Sequence, residues 1–473
     1  MSPDPRLPVR AGRVLRVWTV WVIPLVVASI AVAVMTTLYV SSVADPLAHL
    51  QGLPVGLANQ DQGAVVGSRT LDIGSQVESG LVSAPKVSGP LHLEVSSLSR
   101  AQQAMDSDDL YATLVIPPNF TGDLLAVSGI GAEHAGTPAA PRIEILTNQR
   151  AGTVGSQLAT GLLQPALASA SERIGRSLTA LAGAGAQTAA TRVFLANPIT
   201  VTIAVYRPLP TSAALGLSAF YIALLTMLCG FLGATTTNSV VDSALGYATN
   251  DTGPRWRQRR PLPIDRWQTL LVKWAVVSAL TPVLAAVVVA VAGGGLGLDT
   301  PYPALLWLYT WLCAESVAIG TIVLFAAVGN YGQLIALMLF VYAGLASAGG
   351  TVPVEALPGP LRGLSNVEPL RQILVGTRSI LYFGARADAG LARGTLEAGL
   401  GLILWLAIGV AVVRWYDRRR FYRLHPDVIQ YVDAVIADHQ SPATETDGTP
   451  GSPGHAPGGK RPGNRDEPQE GED

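Results

Sequence analysis

The sequence predicts a polytopic α-helical membrane protein of six transmembrane helices, with an α/β (α+β) extracytoplasmic domain between the first and the second. Its long uncharged runs are one reason, because crossing a bilayer takes roughly 20 apolar helical residues whose backbone bonds only to itself. Their spacing is another, since the run at 17–44 stands alone near the N-terminus and the others crowd the second half of the chain. One span, a large insert and five further spans follow from this layout.

Six helices fit the uncharged runs, and the polar, turn-forming segment 329–333 divides the longest run between two of them. A cleaved signal peptide is the alternative for the first run. Signal peptides carry only about 7–15 apolar residues, so a retained anchor is favoured. The predicted spans are 18–43, 209–235, 270–297, 302–328, 332–352 and 395–414.

Arginine clusters set the predicted orientation, because positively charged short loops stay in the cytoplasm. They precede the first span, fill the connection between the second and third, and follow the last. The external connection 353–394 also carries arginines, but inverting it would place another cluster outside. The predicted cytoplasmic parts are therefore 1–17, 236–269 and 415–473, and the last is predicted to be disordered from about 441. Arginine far outnumbers lysine, which is typical of a GC-rich bacterial genome, so the predicted location is a bacterial plasma membrane.

The insert, residues 45–207, is predicted to fold as one extracytoplasmic domain of ordinary size. Its β-rich runs alternate with helical runs, which favours an α/β or α+β sandwich. Predicted strands are 53–58, 91–97, 110–116, 141–147 and 199–206, and predicted helices are 66–82, 98–107 and 118–127. The Ala-rich segment 151–195 has leucines at helical spacing, and packing on the sheet is favoured over a stalk that pairs with a second copy.

Composition excludes several classes of function. A net charge of −1 and 14% charged residues give no basis for nucleic-acid binding. The six histidines lack ligand spacing and no catalytic constellation occurs, so neither a metal site nor an enzymatic activity is predicted. Cys229 and Cys313 fall in predicted helices, so the domain has no predicted disulfide. Asn119 heads a glycosylation-like triplet and is interpreted as a helix cap.

A phosphate-binding loop that ends in Gly-Lys-Ser or Gly-Lys-Thr is also missing from the sequence. Such a loop cradles nucleotide phosphates with its backbone N–H groups. The sequence therefore predicts no bound cofactor, and any ATP would be bound by a separate subunit.

Four segments resemble a known family. They are VGLANQDQGAVVG (55–67), YATLVIPPNFTGDL (111–124), PRIEILTNQ (141–149) and LGLSAFYIALLTMLCGFLGA (215–234). Together with the one-plus-five arrangement of spans, they resemble the YhgE/Pip proteins and the related nitrosoguanidine-resistance permeases. That resemblance implies an export permease of the type-2 ABC superfamily, which moves a hydrophobic or envelope-associated small molecule outward. It also implies a homodimer in the lipid bilayer and a separate ATP-binding subunit.

The cytoplasmic connection 236–269 is the predicted docking surface for such a subunit. It mixes arginines with an indole, which suits a protein groove or anionic lipid headgroups. Anchoring to lipid is an equally good interpretation, since the positive-inside rule already explains the charges. The docking candidates are Arg255, Trp256, Arg257, Arg259 and Arg260.

Glu315 is the only acid well inside a predicted span. An intramembrane ionisable residue is costly and normally faces the bundle interior or a wet cavity. Three interpretations are open: a protonated packing residue held by hydrogen bonds, a residue that lines the substrate route, or a proton carrier. The first is favoured, because neutralising a buried acid costs less than pairing it.

Two other functions compete with ABC-type export. One helix, an external domain and five helices is also the layout of half a resistance-nodulation-division transporter, a proton-driven pump in which Glu315 would relay protons. A non-transporting envelope scaffold or receptor that acts through the external domain is the other alternative.

The external connection 353–394 predicts one further helix. Its apolar residues alternate with prolines, and five of its side chains share one helical face, which predicts an interfacial or re-entrant helix. Packing at the membrane surface is favoured over a part in an outward exit. The shared face consists of Leu370, Ile373, Leu374, Thr377 and Leu381.

Overall fold

A computed structural model describes residues 16–66, 68–130, 140–182, 189–248, 250–252, 255–257, 261–262, 264–419, 421 and 430. Those up to Phe421 belong to one unit, and the second unit, Tyr422–Asp473, contains a single described residue. Most of the predicted N-terminal segment, Arg259, Arg260 and the predicted disordered tail lie outside the described residues.

The α-helices are numbered in chain order. They are α1 (Trp18–Val43), α2 (Pro46–His49), α3 (Ile73–Val82), α4 (Pro85–Ser88), α5 (Leu98–Asp106), α6 (Phe120–Val127), α7 (Thr153–Ala182), α8 (Ala189–Ala196), α9 (Leu217–Ala244), α10 (Arg266–Ala290), α11 (Pro303–Val328), α12 (Tyr331–Ser347), α13 (Gly359–Leu364), α14 (Pro369–Tyr382) and α15 (Ala392–Arg418).

A five-stranded mixed sheet forms the centre of the α/β region between α1 and α9. The strands of the region are β1 (Leu53–Asn59), β2 (Ala64–Val66), β3 (Arg69–Leu71), β4 (Leu91–Val95), β5 (Ala112–Ile116), β6 (Arg142–Thr147) and β7 (Thr200–Val205). The sheet has the order β4-β1-β5-β6-β7, and all its neighbours are parallel except the antiparallel pair β5 and β6. Its five strands lie where the sequence predicts strands.

The sheet buries side chains on both faces, because alternate residues of a strand point to opposite sides. Ile143 and Ile145 of β6 join the main core, which includes apolar residues of α3, α6 and α7. Leu146, which follows Ile145 and points to the opposite face, packs there with Ala101 and Met105 of α5. Helices therefore cover the sheet on both faces.

The predicted helix 66–82 is wrong at its start. The antiparallel hairpin of β2 and β3 occupies its first residues, and α3 begins only at Ile73. Asp72 is the N-cap of α3, where its carboxylate accepts a hydrogen bond of 2.8 Å from the Ser75 N–H. Such a cap satisfies a backbone donor that the helix itself leaves unpaired, so it fixes the helix start.

The Ala-rich segment packs on the sheet, as the favoured interpretation predicts. Leu163 and Leu167 of α7 are fully buried in the same core as the strands. Burying leucine side chains stabilises the packed arrangement by roughly 1.5–3 kcal/mol each. The described part of this segment is therefore a structural layer of the domain.

Five of the described helices are long and apolar enough to cross a membrane. They are α1, α9, α10, α11 and α15, of which α9, α10 and α15 carry short 3₁₀ or π extensions. Among them α11 is central, since it packs against α9, α10, α12 and α15. In contrast, α1 packs on Ala343–Ser347 and leaves most of its apolar side chains exposed.

The predicted fifth span, 332–352, corresponds to the shorter apolar helix α12. A π-helical turn, Leu337–Tyr342, interrupts it, and the helical residues end at Ser347. It is shorter than the other five helices, so the sixth span stays a prediction.

The second long helix extends beyond its predicted span, 209–235. Helical residues continue through Ala244, so the start of the predicted connection 236–269 is helical. The ion pair of Asp242, near the end of α9, with Lys273 of α10 explains why the helix extends past 235. The pair lets the charged Asp242 remain on a packed face of the helix.

The helix predicted in connection 353–394 exists as α14, but it does not lie on a surface. Its predicted apolar face is buried, and so are Gln372, Arg378 and Ser379 on its other sides. It packs against α9 and α15, within the bundle. The helix is therefore a buried element of the bundle and not a helix on its surface, and a re-entrant course through the membrane stays a prediction.

Two arginines tie the α/β domain to the adjoining end of the bundle. Arg150 donates hydrogen bonds to the carbonyl of Pro208 and, over 2.8 Å, to that of Tyr382 at the end of α14. Arg362 donates to the carbonyl of His49 over 3.1 Å. Bonds to a charged donor are worth about 1.5–3 kcal/mol each, so the domain and the helices are firmly joined.

Candidate functional site

Glu315 lies on the central helix, α11, and faces α10. Both of its carboxylate oxygens accept hydrogen bonds from hydroxyls of that neighbour: Ser278 donates to Oε1 and Thr281 donates to Oε2. Residues three apart on a helix share a face, so the two hydroxyls can both donate hydrogen bonds to one carboxylate. The side chain is partly buried, as is Ser278, whereas Thr281 is fully buried.

Tryptophans line the same seam between α10 and α11. Trp307 and Trp311 stack at 5.6 Å, and the Trp307 indole N–H donates to the carbonyl of Pro282 over 2.9 Å. Pro282 lacks a backbone N–H, so it interrupts the hydrogen bonding of α10 one residue after Thr281. The Trp311 indole N–H, one turn before Glu315, is buried and has no acceptor among the described residues.

This arrangement can hold the Glu315 carboxyl group by hydrogen bonds within the bundle. None of the ion pairs found among the described residues involves Glu315. No group of His, Cys, Asp and Glu that could hold a metal ion occurs among those residues either. The sequence analysis did not identify Ser278 and Thr281 as partners of Glu315. Their i, i+3 spacing on the preceding helix could have indicated two hydroxyls on one face.

A second polar cluster joins α9 and α10. Lys273 forms an ion pair of 2.8 Å with Asp242 and donates a 2.6 Å hydrogen bond to the Asn238 side chain. The predicted bounds put Lys273 in the third span, 270–297, and Asp242 in the connection 236–269, so the sequence did not predict that they pair. The pair is mostly buried, with side-chain exposures of 9% and 17%.

Three of the docking candidates, Arg255, Trp256 and Arg257, lie on a short strand of the connection between α9 and α10. The backbone of Arg255–Arg257 forms strand β9, which pairs antiparallel with β8 (Asn250–Thr252) in the connection between α9 and α10. Arg259 and Arg260 lie outside the described residues. A hairpin here is a local feature that the sequence analysis did not predict.

Two of the three domain motifs that carry the family resemblance, 55–67 and 111–124, contact each other through Asp61. Its carboxylate accepts hydrogen bonds from the Gly74 N–H, over 3.0 Å, and from the Thr121 N–H and hydroxyl. Asn119 is the N-cap of α6, but its side chain makes no capping bond. Asp61 performs that role from a distant segment, which corrects the interpretation of Asn119. These motifs therefore hold the domain together.

Two carboxyls near the junction of domain and bundle have raised pKa values. Burial raises the pKa of Glu368 to about 7, against the lowering effect of the Leu370 and Arg371 backbone N–H groups that it accepts as N-cap of α14. Burial likewise raises the pKa of Asp108 to about 7, opposed by Arg378. In both cases desolvation of the charged form outweighs the favourable partners.

We expect the protein to lose stability as pH rises through the range of these carboxyls. Glu368 has an unfolded reference pKa of 4.5 and a folded pKa of about 7. Between those values the folded state binds more protons, so the free energy of unfolding falls as pH rises, by up to roughly 1.4 kcal/mol per pH unit, and levels off above pH 7. Unfolding of the purified protein in detergent at pH 5, 6, 7 and 8 measures this slope.

Two variants separate the contribution of Glu368 from that of other acids. Glu368→Gln keeps an acceptor for the helix cap and should flatten the slope. Glu172→Gln removes an exposed carboxylate of α7 and should leave it unchanged. An equal slope in all three proteins would contradict the assignment to Glu368.

One comparison with known proteins identifies a family of transporters. The sequence pattern of the family described as "ABC-2 family transporter protein" matches residues 13–415, which include the α/β domain and all the long helices. No curated protein matches the chain. A solved domain assigned to an ABC type-2 transporter of Thermotoga maritima MSB8 is 18% identical, covers 32% of this chain and 85% of its own, and has a TM-score of 0.23. That score is too low to carry a structural argument.

The family match extends over most of the chain and coincides with the part that the structure describes as one unit. Its helices are those of a membrane protein, and its polar clusters are hydrogen-bonded between helices. The chain belongs to the ABC-2 family of transporter proteins.

Proposed function

We propose that this chain is the permease of an ABC-type exporter that moves a hydrophobic or envelope-associated small molecule outward, in the manner of the YhgE/Pip proteins. The observation that carries the proposal is the family match over both the α/β domain and the helix bundle. Permeases of this family normally work with an ATP-binding subunit in a membrane. The family is one of transporters, so the chemistry of ATP hydrolysis is assigned to the partner chain.

The proposed topology has six spans, with α12 as a short fifth. Its 17 residues fit the lower limit of a spanning helix, and α14 would complete the outer half of the bundle beside it. Both termini and the connection between α9 and α10 would then be cytoplasmic, with the α/β domain outside. The arginine distribution supports this orientation.

A homodimer is part of the proposal, because six helices seldom enclose a conduit and type-2 ABC permeases work in pairs. Helix α1 supports it, since its apolar surface is exposed along nearly its whole length. In a membrane, that surface would contact lipid or a second copy.

For Glu315 we propose a packing role between α10 and α11. Two hydroxyl donors on one carboxyl support that role, because they satisfy both oxygens without any cation. A proton-relay role, as in a resistance-nodulation-division pump, is the second candidate and is favoured by the partial exposure of the side chain. The two roles predict different energy sources.

The connection between α9 and α10 is the proposed docking surface for the ATP-binding subunit. Its arginines can pair with acidic groups bidentately, and Trp256 adds apolar contact area. Anionic lipid would attract the same charges but would not require the bidentate geometry of arginine.

Efflux of a lipophilic dye from cells that express the chain with its ATP-binding partner tests the proposal. We expect efflux that stops when ATP is depleted, continues when the proton gradient is collapsed, and stays within about twofold in Glu315→Gln. Arg257/Arg259/Arg260→Ala should lose most of it, because docking transmits the energy of ATP hydrolysis. A lysine version of this triple variant controls for topology, since it keeps the positive charges.

Each other outcome has a definite meaning once all variants are shown to insert equally. Efflux that depends on the proton gradient and is lost in Glu315→Gln would replace the ABC mechanism by the proton-driven one. Efflux that is unchanged in the alanine triple variant would exclude this docking surface. If no dye is exported while a partner still binds to the α/β domain, the non-transporting scaffold or receptor function would be favoured.

A further inference from the structure

A cavity of 250 Å³ lies where the α/β domain meets the helix bundle. Its wall is built from the start of α7, from residues just before α9, from the segment after α12, and from α14. Most of the lining is apolar, but the residues that line it include Tyr111, Thr153, Gln157, Thr351 and Arg378. The space is several times larger than a single water needs, so it can hold a polar group together with part of an apolar body.

Arg378 is the charged group of this cavity, and it has few protein partners. The residue is 8% exposed, yet its only hydrogen bond within the described structure is a long one of 3.4 Å, from Nη2 to the Gly349 carbonyl. Asp108 and Glu355 are close enough to act on the pocket electrostatically, but neither forms an ion pair with Arg378. A buried guanidinium without an ion pair is expensive, because it has lost its hydration and gained little in return.

The N-terminus of α7 faces the same space. This helix is 30 residues long and begins at Thr153, and its first residues through Gly155 line the cavity. Their N–H groups precede the first intrahelical hydrogen bonds, so they are available donors with a partial positive charge. The guanidinium is adjacent, since Nη2 of Arg378 is 3.9 Å from where a Cβ on Gly152 would lie. A full positive charge and a helix N-terminus therefore converge.

We propose that this cavity binds an oxyanion, a phosphate group that is either free or carried by an amphiphile. The Arg378 guanidinium would donate to two phosphate oxygens, and the N–H groups of Thr153 and Val154 would reach a third. Gly152, which lines the cavity, has no side chain to occupy the space beside the guanidinium. The apolar lining would accommodate the carbon part of an amphiphile. This site is independent of which cargo the permease exports.

Binding to the purified full chain tests the proposal with two probes. Inorganic phosphate is titrated onto the protein in a neutral detergent. Separately, a short-chain phosphatidylglycerol is titrated onto the protein in the same phosphate-free detergent. A bound ligand stabilises the folded state, so the midpoint of thermal unfolding should rise with probe concentration and yield a dissociation constant.

Three variants make the readout specific. Arg378→Gln should weaken binding about tenfold or more, since charge-assisted hydrogen bonds are lost. Val154→Trp fills the cavity without changing any charge and should weaken binding as much, which keeps the test valid if Arg378→Gln folds poorly. Arg393→Gln removes an exposed arginine that pairs with Glu397 and should bind as the wild type does.

A response to phosphatidylglycerol alone, lost in both cavity variants, would support the site and identify a lipid headgroup. A response to inorganic phosphate that is lost in the same variants would support it with a free anion as ligand. Absence of any response to either probe would overturn the proposal, and so would a response that Arg378→Gln and Val154→Trp leave unchanged.

Discussion

Replacing Gly230 by valine should prevent the helix bundle from assembling. Gly230 lies on α9 where it crosses the central helix, and a Cβ at this position would collide with the carbonyl oxygen of Ala314 and lie 2.9 Å from Cβ of Val317. Small residues allow such close helix approach in membranes. The backbone oxygen cannot move aside as a side chain could, so we expect a cost of about 3 kcal/mol, the upper end for overpacking.

The matched control is Gly399→Val on α15. A Cβ at Gly399 meets nothing within 4 Å, so the same substitution at another long apolar helix should be tolerated. The measurement is the yield of monodisperse protein after detergent extraction and the midpoint of thermal unfolding. Equal behaviour of the two variants would mean that α9 and α11 do not pack as closely as the structure indicates.

Removing Lys273 should destabilise the bundle by about 3 kcal/mol, because a mostly buried carboxylate would lose its ammonium partner. In Lys273→Met, Asp242 keeps its position near the end of α9 and loses the contact of 2.8 Å. We take the lower end of the range for broken buried pairs, since Asp242 is still 17% exposed to solvent. Unfolding free energy in detergent, measured by denaturant titration, gives the value.

A double-mutant cycle separates the pair from its surroundings. Lys273→Met/Asp242→Leu should recover much of the lost stability, because an apolar pair has no charge to desolvate. The exposed pair Arg393 and Glu397 provides the control, with side-chain exposures of 52% and 34%. Arg393→Met should cost about 1 kcal/mol or less, as is usual for surface ion pairs. Similar losses in Lys273→Met and Arg393→Met would contradict the burial of the first pair.

The two halves of the structure are linked at the region that also contains the proposed anion site. Arg150 bonds to the end of α14, and Arg378 of the same helix lines the cavity beside the start of α7. A ligand in that cavity would contact the domain and the bundle at once. Its binding would therefore report on any movement of the domain during transport.

Patterns that are local in the chain were predicted well. A strand is recognised from the spacing of its own apolar residues and a spanning helix from the length of its apolar run. The five strands of the sheet and the long helices α1, α9, α10, α11 and α15 therefore agree with prediction apart from their ends. The hairpin of β2 and β3 was missed, because its short strands offer too few residues for a period to be seen.

Contacts between distant segments were not predictable from the same patterns. Glu315 was recognised as an unusual intramembrane acid. Its hydrogen bonds with Ser278 and Thr281, however, depend on which face of α10 packs against α11. Asp61 caps a helix from far along the chain, and α14 is buried although its sequence is amphipathic enough for a surface. The orientation of a helix about its axis and the burial of its faces depend on how whole helices pack, and this packing cannot be read from a single sequence.

The sequence by itself determined the class of this protein, its membrane helices and the alternation of strands and helices in its domain, because each of these depends on the length or the spacing of neighbouring apolar residues. Only the tertiary structure decided that Lys273 pairs with Asp242, that Glu315 meets two hydroxyls, and that Arg378 reaches the start of α7. The physical reason is that a polar group buried in a bundle must find its partner on whichever helix packs beside it, and that neighbour is chosen by the fit of whole helix surfaces.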